Sequence, residues 1–307
     1  MPVDSLIDMV NVTLGPGADA VPKIVRSGDL LDSFQGITLE RVDRLLAEGN
    51  LRPPQLSLVR AGRSVPPAEY LSKLRYPYPG SPPADSLDLG RVVHAFRDGY
   101  TLMMMGCDRW LPELITATNS LRDYLRHPVL AVMFITPPNE MGLGIHADAF
   151  DNFVFQLEGT KEWEVFDRLP GHVPDGFLEP GQVGKPRLTT KLEPGDVLFM
   201  PYACPHVGHA DSLSMHITIG IRTLTIRDLL GVILTRTDVL PAELEQTIPF
   251  APWPPDGLGS VLGPGIAALL AELESSSWTE LLSRAAGPEV PAWQPGALVR
   301  MARDTHR

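Results

Sequence analysis

GLGIHADAFDNFVFQLEGTKEWEVF, residues 142–166, predicts two short strands separated by the turn residues EGT. A second stretch, LEPGDVLFMPYACPHVGHA at residues 192–210, predicts another pair of strands. In this stretch the PGD at 194–196 is typical of a tight turn, and the apolar run 197–200 is typical of a buried strand. A barrel-like, double-stranded β-sheet would bring these two distant stretches side by side.

Three side chains in these stretches have the chemistry of a metal site: His146, Asp148 and His206. In an extended strand alternate side chains share a face, so His146 and Asp148 point the same way while the small Ala147 turns away. His206 comes just after the predicted buried strand of the second stretch. Two imidazoles and one carboxylate form a facial triad that leaves positions open on a non-haem Fe(II) ion. The pattern therefore indicates an iron-dependent oxygenase.

An isolated His-x-Asp pair is weak evidence, because most single histidines lie on the surface or form hydrogen bonds within a core. The order of the motifs favours the metal site: HAD and a strand, then EGTK, then PGD and a strand that leads to PYACPH. Cys204 lies close to His206, but iron in an oxygenase prefers nitrogen and oxygen ligands. We therefore predict that Cys204 and Cys107 are buried apolar residues rather than ligands.

These segments, together with ITPP (135–138), FQLEGTKEW (155–163) and SMHITIG (214–220), resemble a known family. They look like the cupin-like JmjC oxygenases, which depend on Fe(II) and 2-oxoglutarate, and most of all like the ribosomal oxygenase branch, whose members hydroxylate a side chain of a ribosomal protein. The resemblance covers about residues 55–224. It implies a mainly β fold, a double-stranded β-helix (jelly-roll) with flanking helices, and makes the three residues of the triad the iron ligands.

The resemblance also implies a binding site for the cosubstrate 2-oxoglutarate, in which Lys161 pairs with the distal carboxylate. This suits the chemistry, because a buried dianion needs a cation as its partner. By the same resemblance the Thr218 hydroxyl donates to that carboxylate, and His216, on the same face of its strand, forms hydrogen bonds near the metal. Thr136 in the ITPP strand is a further candidate for lining the pocket.

The chain departs from the family pattern at three positions. Val132 and Phe134 stand where the nearest branch tends to carry Asn and Tyr, which removes polar contacts to cosubstrate or substrate. Asn152 instead resembles the asparaginyl-hydroxylase branch, in which an Asn at this spacing lines the cosubstrate pocket. The branch that the substrate follows is therefore left open by the sequence.

Composition and charge exclude several classes of function. The chain has 307 residues, of which 44% are hydrophobic and 21% charged, as in ordinary globular proteins. Its formal net charge of −11 disfavours nucleic-acid binding and favours a basic protein or peptide as partner. Without a long apolar run or a basic N-terminal segment, we expect no membrane association and a cytoplasmic location.

Three regions are predicted along the chain. Residues 1–54 form a helical lead-in that packs on the barrel, with Thr38 as the N-cap of a helix. Residues 55–224 form the catalytic domain. Residues 225–307 form a helical region that dimerises or flanks the active site. Apolar spacing in this last region predicts four helices, at 225–235, 241–246, 264–274 and 278–286.

The predicted reaction is hydroxylation of an unactivated side-chain carbon, in an Arg, His or Asn-like residue of a protein or peptide. It uses O2 and is coupled to decarboxylation of 2-oxoglutarate to succinate. The substrate is a ribosomal protein or a ribosomally made natural-product peptide. The alternatives are a demethylase, a non-oxygenase cupin that acts as an isomerase or a binding protein, and an inactive scaffold, which the complete triad disfavours.

Overall fold

The described chain is built of α-helices and antiparallel strands. The computed structural model describes residues 2–15, 20–26, 34–72, 86–171, 173–174, 176–234 and 258–275. Within these ranges the α-helices are α1 (Pro2–Leu14), α2 (Leu39–Ala47), α3 (Pro67–Tyr70), α4 (Leu89–Arg97), α5 (Pro112–Leu125), α6 (Ile226–Leu234) and α7 (Leu258–Ser275). The helices predicted at 241–246 and 278–286 lie outside the described residues.

The strands form two antiparallel sheets. They are β1 (Lys23–Arg26), β2 (Leu56–Arg60), β3 (Arg63–Ser64), β4 (Thr101–Met104), β5 (Val129–Thr136), β6 (Phe150–Glu158), β7 (Lys161–Val165), β8 (Leu188–Leu192), β9 (Asp196–Met200), β10 (His206–His209) and β11 (Ser214–Arg222). The larger sheet has the order β1-β9-β6-β11-β5-β4-β2-β3, and the smaller has the order β10-β7-β8. Strands distant in sequence are therefore neighbours, and the predicted double-stranded β-helix with flanking helices is confirmed.

Successive side chains of β6 pack in two different layers of the interior. Phe153 and Phe155 pack in the main core with apolar residues from α1, α2, α4 and α5, whereas Val154 between them packs in a second cluster with Trp163 of β7. Successive strand residues point to opposite faces, so one strand serves both layers. The second cluster supports the inner face of the small sheet, on which the candidate site is built.

The N-terminal part of the chain contributes both helix and strand. Thr38 caps α2 as predicted, with its hydroxyl accepting a hydrogen bond from the backbone N–H of Arg41. The sequence pattern did not predict β1, which pairs with β9 at the edge of the large sheet. The partner strand β9 is more than 160 residues further along the chain, as the pairing of Lys23 with Phe199 shows. A pairing over such a distance leaves no pattern in the local sequence of β1.

The described chain separates into two compact units. One contains α1 to α5 and both sheets, and the other contains α6 and α7. The helices predicted at 225–235 and 264–274 are confirmed, although α7 begins earlier, at Leu258. None of the described helices is both long and apolar enough to cross a lipid bilayer.

Candidate metal centre and the pocket beside it

Backbone pairing brings the two histidines of the triad together. His146 lies in the loop between β5 and β6, and His206 begins β10. The two residues form an isolated antiparallel bridge, with the His206 N–H donating to the His146 carbonyl over 2.8 Å and the reverse bond at 3.2 Å. The backbone thereby fixes the spacing of two side chains that are distant in sequence.

The potential ligand atoms of His146, Asp148 and His206 converge. They lie within 4.8 Å of one another. The Asp148 carboxylate has one oxygen 3.9 Å from His146 Nε2 and the other 3.7 Å from His206 Nε2. One ion placed among these atoms would be close to all three. The structure thus brings together the three residues that the sequence singled out.

Hydrogen bonds on the far side of each ring select the tautomer that a metal needs. His146 Nδ1 lies 2.8 Å from the Gly144 carbonyl, and His206 Nδ1 lies 3.0 Å from the Cys204 carbonyl. A carbonyl can only accept, so each Nδ1 carries the proton and each Nε2 keeps a free lone pair. Burial, together with the neighbouring His146, lowers the pKa of His206 to about 4, so this ring is neutral at pH 7.

Asn152 orients the carboxylate of the triad. Its Nδ2 donates to Asp148 Oδ2 over 2.7 Å. Such a bond holds one oxygen in place and leaves the other turned towards His146. The role that the resemblance implies for Asn152, lining a cosubstrate pocket, stays a prediction.

Lys161 lies in a buried pocket beside the triad, which we call the Lys161 pocket. The pocket consists of Lys161, Thr136 and Thr101, and the exposed fraction of Lys161 is only 4%. Lys161 Nζ donates to Thr136 Oγ1 over 3.2 Å, and no carboxylate in the described ranges pairs with it. Burial lowers the pKa of Lys161 to about 7. A buried ammonium without an anionic partner is unfavourable, which indicates an anionic ligand.

Two glycines border the Lys161 pocket. A Cβ on Gly142 would lie 3.1 Å from Thr101 Oγ1, 3.7 Å from Thr136 Oγ1 and 3.8 Å from Lys161 Nζ. A Cβ on Gly208 would lie 2.8 Å from Lys161 Cε. The absence of side chains at these two positions lets the backbone approach closely and keeps space beside the ammonium.

His216 and Thr218 share the inner face of β11 but have different surroundings. His216 stacks on Phe134 with ring centroids 4.9 Å apart and meets Trp163 edge to face at 5.4 Å. Burial, with Lys161 and His206 nearby, keeps the pKa of His216 well below its usual value. Thr218 lies in register between Val132 of β5 and Val154 of β6. Within the described residues no hydrogen bond joins Thr218 to Lys161.

Buried polar atoms near the site lack protein partners. In the part of the chain that is described, Trp163 Nε1 and His216 Nδ1 are buried and have no hydrogen-bond partner. Phe134 and Val132 offer none, since both side chains are apolar. Unsatisfied buried polar atoms of this kind commonly face water or a ligand, which fits a pocket that takes a polar molecule.

Phe177 is an aromatic residue at the site that the sequence did not indicate. Its ring centroid lies 6.0 Å from that of His146, and the ring covers Gly62 and Gly144. The Leu178 N–H donates to the Ile145 carbonyl over 2.7 Å, which attaches this segment to the loop of the triad. Phe177 is 47% exposed, so it borders the site on the solvent side. A turn-rich segment carries no periodic pattern from which its position could be read.

The cysteines are buried as predicted. Cys107 donates to the Met104 carbonyl, and burial raises the pKa of its thiol to about 12. Burial likewise raises the pKa of Cys204 to about 11. Both thiols are therefore protonated at neutral pH, and a protonated thiol is a poor metal ligand.

Comparison with protein families identifies the class of this domain. Residues 112–229 match the family model of the JmjC domain. This part of the chain resembles a JmjC domain, and the match agrees with the family predicted from the sequence.

Particular relatives agree with this class. The protein named bifunctional lysine-specific demethylase and histidyl-hydroxylase NO66 of Drosophila willistoni is 31% identical over 133 residues, which is 41% of this chain and 17% of the relative. The protein of the same name in Dictyostelium discoideum is 29% identical over 150 residues, 46% of this chain and 29% of the relative. The chain spans less than a third of the length of either relative.

Solved structures share the fold. The ribosomal oxygenase YcfD from Escherichia coli, in complex with cobalt and 2-oxoglutarate, has a TM-score of 0.55 and 19% identity, covering 92% of this chain and 74% of that one. Another structure of E. coli YcfD has a TM-score of 0.55 and 18% identity, covering 95% and 78%. Both structures agree with the predicted fold.

Proposed function

We propose that this protein is an Fe(II)- and 2-oxoglutarate-dependent oxygenase that hydroxylates a side-chain carbon of a protein or peptide. One observation carries the proposal: a His-Asp-His set lies beside a buried lysine that has no carboxylate partner in the described chain. The triad supplies the ligands for iron. The lysine supplies the charge for the far end of a diacid.

The donor set fits Fe(II). His146 and His206 present their Nε2 atoms and Asp148 presents a carboxylate, which is the nitrogen and oxygen set that non-haem Fe(II) takes. Three protein ligands leave positions open for a chelating cosubstrate and for O2. Bound iron would supply the activation of O2, coupled to decarboxylation of 2-oxoglutarate to succinate. The chain's task is to hold the ligands, as Asn152 does for Asp148.

The Lys161 pocket fits the distal carboxylate of 2-oxoglutarate. Lys161 and Thr136 both offer polar hydrogens there, and a charge-assisted bond to a carboxylate is about twice as strong as a neutral one. Binding of the anion would restore the protonated state of Lys161, whose pKa burial lowers to about 7. We propose Thr218 and His216 as further contacts to the cosubstrate, on the strength of their position on the inner face of β11.

Apolar side chains would keep water from the reacting atoms. Phe134, Trp163 and Val154 line the interior next to His216 and Lys161. A site of this kind strengthens the electrostatic contacts inside it and limits side reactions. Phe177, half in solvent beside His146, is placed to touch the substrate side chain on entry.

The substrate that we propose is a protein or peptide with an Arg, His or Asn-like target residue. Two relatives are named for such targets, one as a histidyl-hydroxylase and the other as a ribosomal oxygenase. The net charge of −11 favours a basic partner. A ribosomal protein and a ribosomally made natural-product peptide both meet these requirements. A cytoplasmic location, without nucleic acid or membrane as partner, stays a prediction.

The test is incubation of the purified protein with Fe(II), 2-oxoglutarate, O2 and a panel of ribosomal-protein and precursor peptides with His, Arg or Asn. We expect mass spectrometry to find a gain of one oxygen atom in one peptide and succinate in equal amount. Asp148→Ala should abolish both products. Asp211→Ala, which changes an exposed carboxylate, should leave them unchanged. Failure of every peptide to gain oxygen, with no succinate formed, would contradict the proposal.

Demethylation is a second candidate, favoured by the name of the curated relatives, which includes lysine-specific demethylase. The same mass spectrometry separates the two activities. Methyl-lysine peptides in the panel would lose a methyl group and release formaldehyde in a demethylase, whereas a hydroxylase leaves them unchanged. A non-oxygenase cupin would produce no succinate with any peptide.

A further inference from the structure

Three polar side chains from separate strands meet in the Lys161 pocket. Thr101 Oγ1 donates to Thr136 Oγ1 over 3.2 Å, and Lys161 Nζ donates to the same oxygen over 3.2 Å. Thr101 and Thr136 are both 0% exposed. They come from the neighbouring strands β4 and β5, whereas Lys161 begins β7 of the other sheet. The sequence did not single out Thr101.

The two protein partners of the Thr136 hydroxyl do not use all of its hydrogen-bonding capacity. A threonine hydroxyl has one hydrogen and two lone pairs. An ammonium group can only donate, so Lys161 occupies one lone pair of Thr136, and Thr101 occupies the other. With Thr101 and Lys161 both donating to Thr136, the Thr136 hydrogen is available to a third group. The carboxylate of a bound diacid is an acceptor of that kind.

The backbone around the three side chains holds this arrangement in place. Gly142 covers them from the loop after β5, at a position where a Cβ would be within 4 Å of all three polar atoms. Gly208 of β10 packs against the aliphatic part of the Lys161 side chain from another side. The two glycines therefore let the backbone approach the three side chains closely.

We infer that Thr101 is a positioning residue, which turns the Thr136 hydroxyl towards the distal carboxylate that Lys161 binds. This inference rests on the proposed function, since it requires a dicarboxylate cosubstrate. With Thr101 in place, the carboxylate receives two converging donors, one charged and one neutral. Without it, the Thr136 hydrogen is free to turn back into the emptied space and the anion loses a directed bond.

The experiment measures binding rather than turnover. Calorimetric titration of 2-oxoglutarate into Mn(II)-loaded protein gives the dissociation constant of wild type, Thr101→Val and Thr101→Ser. Valine keeps the shape of threonine but has no hydroxyl, so we expect binding to weaken about 3- to 10-fold, the usual cost of one neutral hydrogen bond. Serine restores the hydroxyl and should restore affinity.

Oxalate is the control ligand, because it chelates the metal and has no distal carboxylate. Thr101→Val should bind oxalate as wild type does, and it should have no further effect on 2-oxoglutarate binding in a Thr136→Val background. Equal weakening of oxalate and 2-oxoglutarate, or unchanged 2-oxoglutarate affinity in Thr101→Val, would overturn the inference. Absence of 2-oxoglutarate binding in wild type would instead overturn the proposed function. Thermal melts verify that each variant is folded.

Discussion

Lys161 and Lys191 show that the surroundings of a lysine determine its pKa. Lys191 is exposed on β8 and pairs with Asp211 over 2.8 Å, which raises its pKa. Lys161, one strand away on β7, is buried, donates a hydrogen bond to the Thr136 hydroxyl, and has a lowered pKa. Burial of an unpaired ammonium destabilises the folded chain. A binding site for an anion is a physical reason to tolerate that cost.

Lys161→Met separates stability from function. We expect the variant to lose 2-oxoglutarate binding, because the distal carboxylate would face a methyl group. Its Tm should rise, by about 2–4 °C for each kcal/mol recovered. Differential scanning calorimetry and titration of 2-oxoglutarate measure the two effects. Lys191→Met is the matched control and should bind 2-oxoglutarate as wild type does.

The gain in Tm should depend on pH. The pKa of Lys161 is about 7 in the folded chain and 10.5 ordinarily, so the unfolded chain binds more protons between these values. Wild-type stability attributable to this group therefore rises from pH 7 towards 10.5. The advantage of Lys161→Met is then largest near pH 7 and shrinks as the pH rises. A Tm below that of wild type at pH 7 would contradict a buried, unpaired lysine.

Cosubstrate affinity should fall as the pH rises above 7. The anion binds the protonated form of Lys161, and the neutral form predominates in the free pocket above its pKa of about 7. We expect the Kd of 2-oxoglutarate for the Mn(II) protein to rise by about tenfold per pH unit between pH 7.5 and 9. Oxalate, without a distal carboxylate, gives the control profile. Parallel profiles for the two ligands would show that Lys161 is not the anchor.

Strand geometry places Gly208 against Lys161. In the small sheet β10 and β7 pair so that Gly208 is opposite Trp163, which follows Lys161 by two residues on β7. A Cβ on Gly208 would lie 2.8 Å from Lys161 Cε and 3.1 Å from Trp163 Cε3. The indole is packed and rigid, so the flexible lysine stem would have to move.

Gly208→Ala should therefore weaken 2-oxoglutarate binding by at least about fivefold, since overpacking a buried contact costs roughly 1–3 kcal/mol. Gly184→Ala is the control, because no atom lies within 4 Å of a Cβ at that position. Titration of 2-oxoglutarate and oxalate into both variants measures the effect. Equal affinity of Gly208→Ala and wild type for 2-oxoglutarate would contradict the close approach of β10 to Lys161.

The unit that contains α6 and α7 exposes large apolar side chains. Ile226 and Leu234 of α6 are exposed, and Ile266 and Leu270, one turn apart on α7, are 51% and 56% exposed. Apolar surface of this kind commonly marks an interface between proteins. We propose, as the sequence suggested, that the region 225–307 forms a homodimer.

Light scattering coupled to gel filtration of the full chain should give twice the mass of one chain. Ile266→Glu with Leu270→Glu should shift the protein to the mass of one chain, because a buried charge destabilises an apolar interface. Val93→Glu, a change of an exposed apolar residue on α4, is the control and should leave the mass unchanged. A monomeric wild type at all concentrations would exclude the dimer.

Much of the fold could be predicted from local sequence patterns. The apolar run 197–200, predicted as a buried strand, lies in β9, and the Thr38 cap starts α2. Period-two alternation and capping chemistry act over a few residues, so they can be read directly from the chain. The strand β1 was missed because its pairing with β9 is a long-range contact whose signal lies in neither segment alone.

The sequence by itself determined which residue types could form a metal and anion site: the HAD motif, the distant His206, and a lysine in a strand. Only the tertiary structure decided that Thr101 meets Thr136, that Gly142 and Gly208 border the Lys161 pocket, and that Phe177 lies beside His146. The physical reason is distance along the chain. Hydrogen bonds and van der Waals contacts act over a few ångströms in space, and sheet pairing brings together residues whose local sequences give no sign of one another.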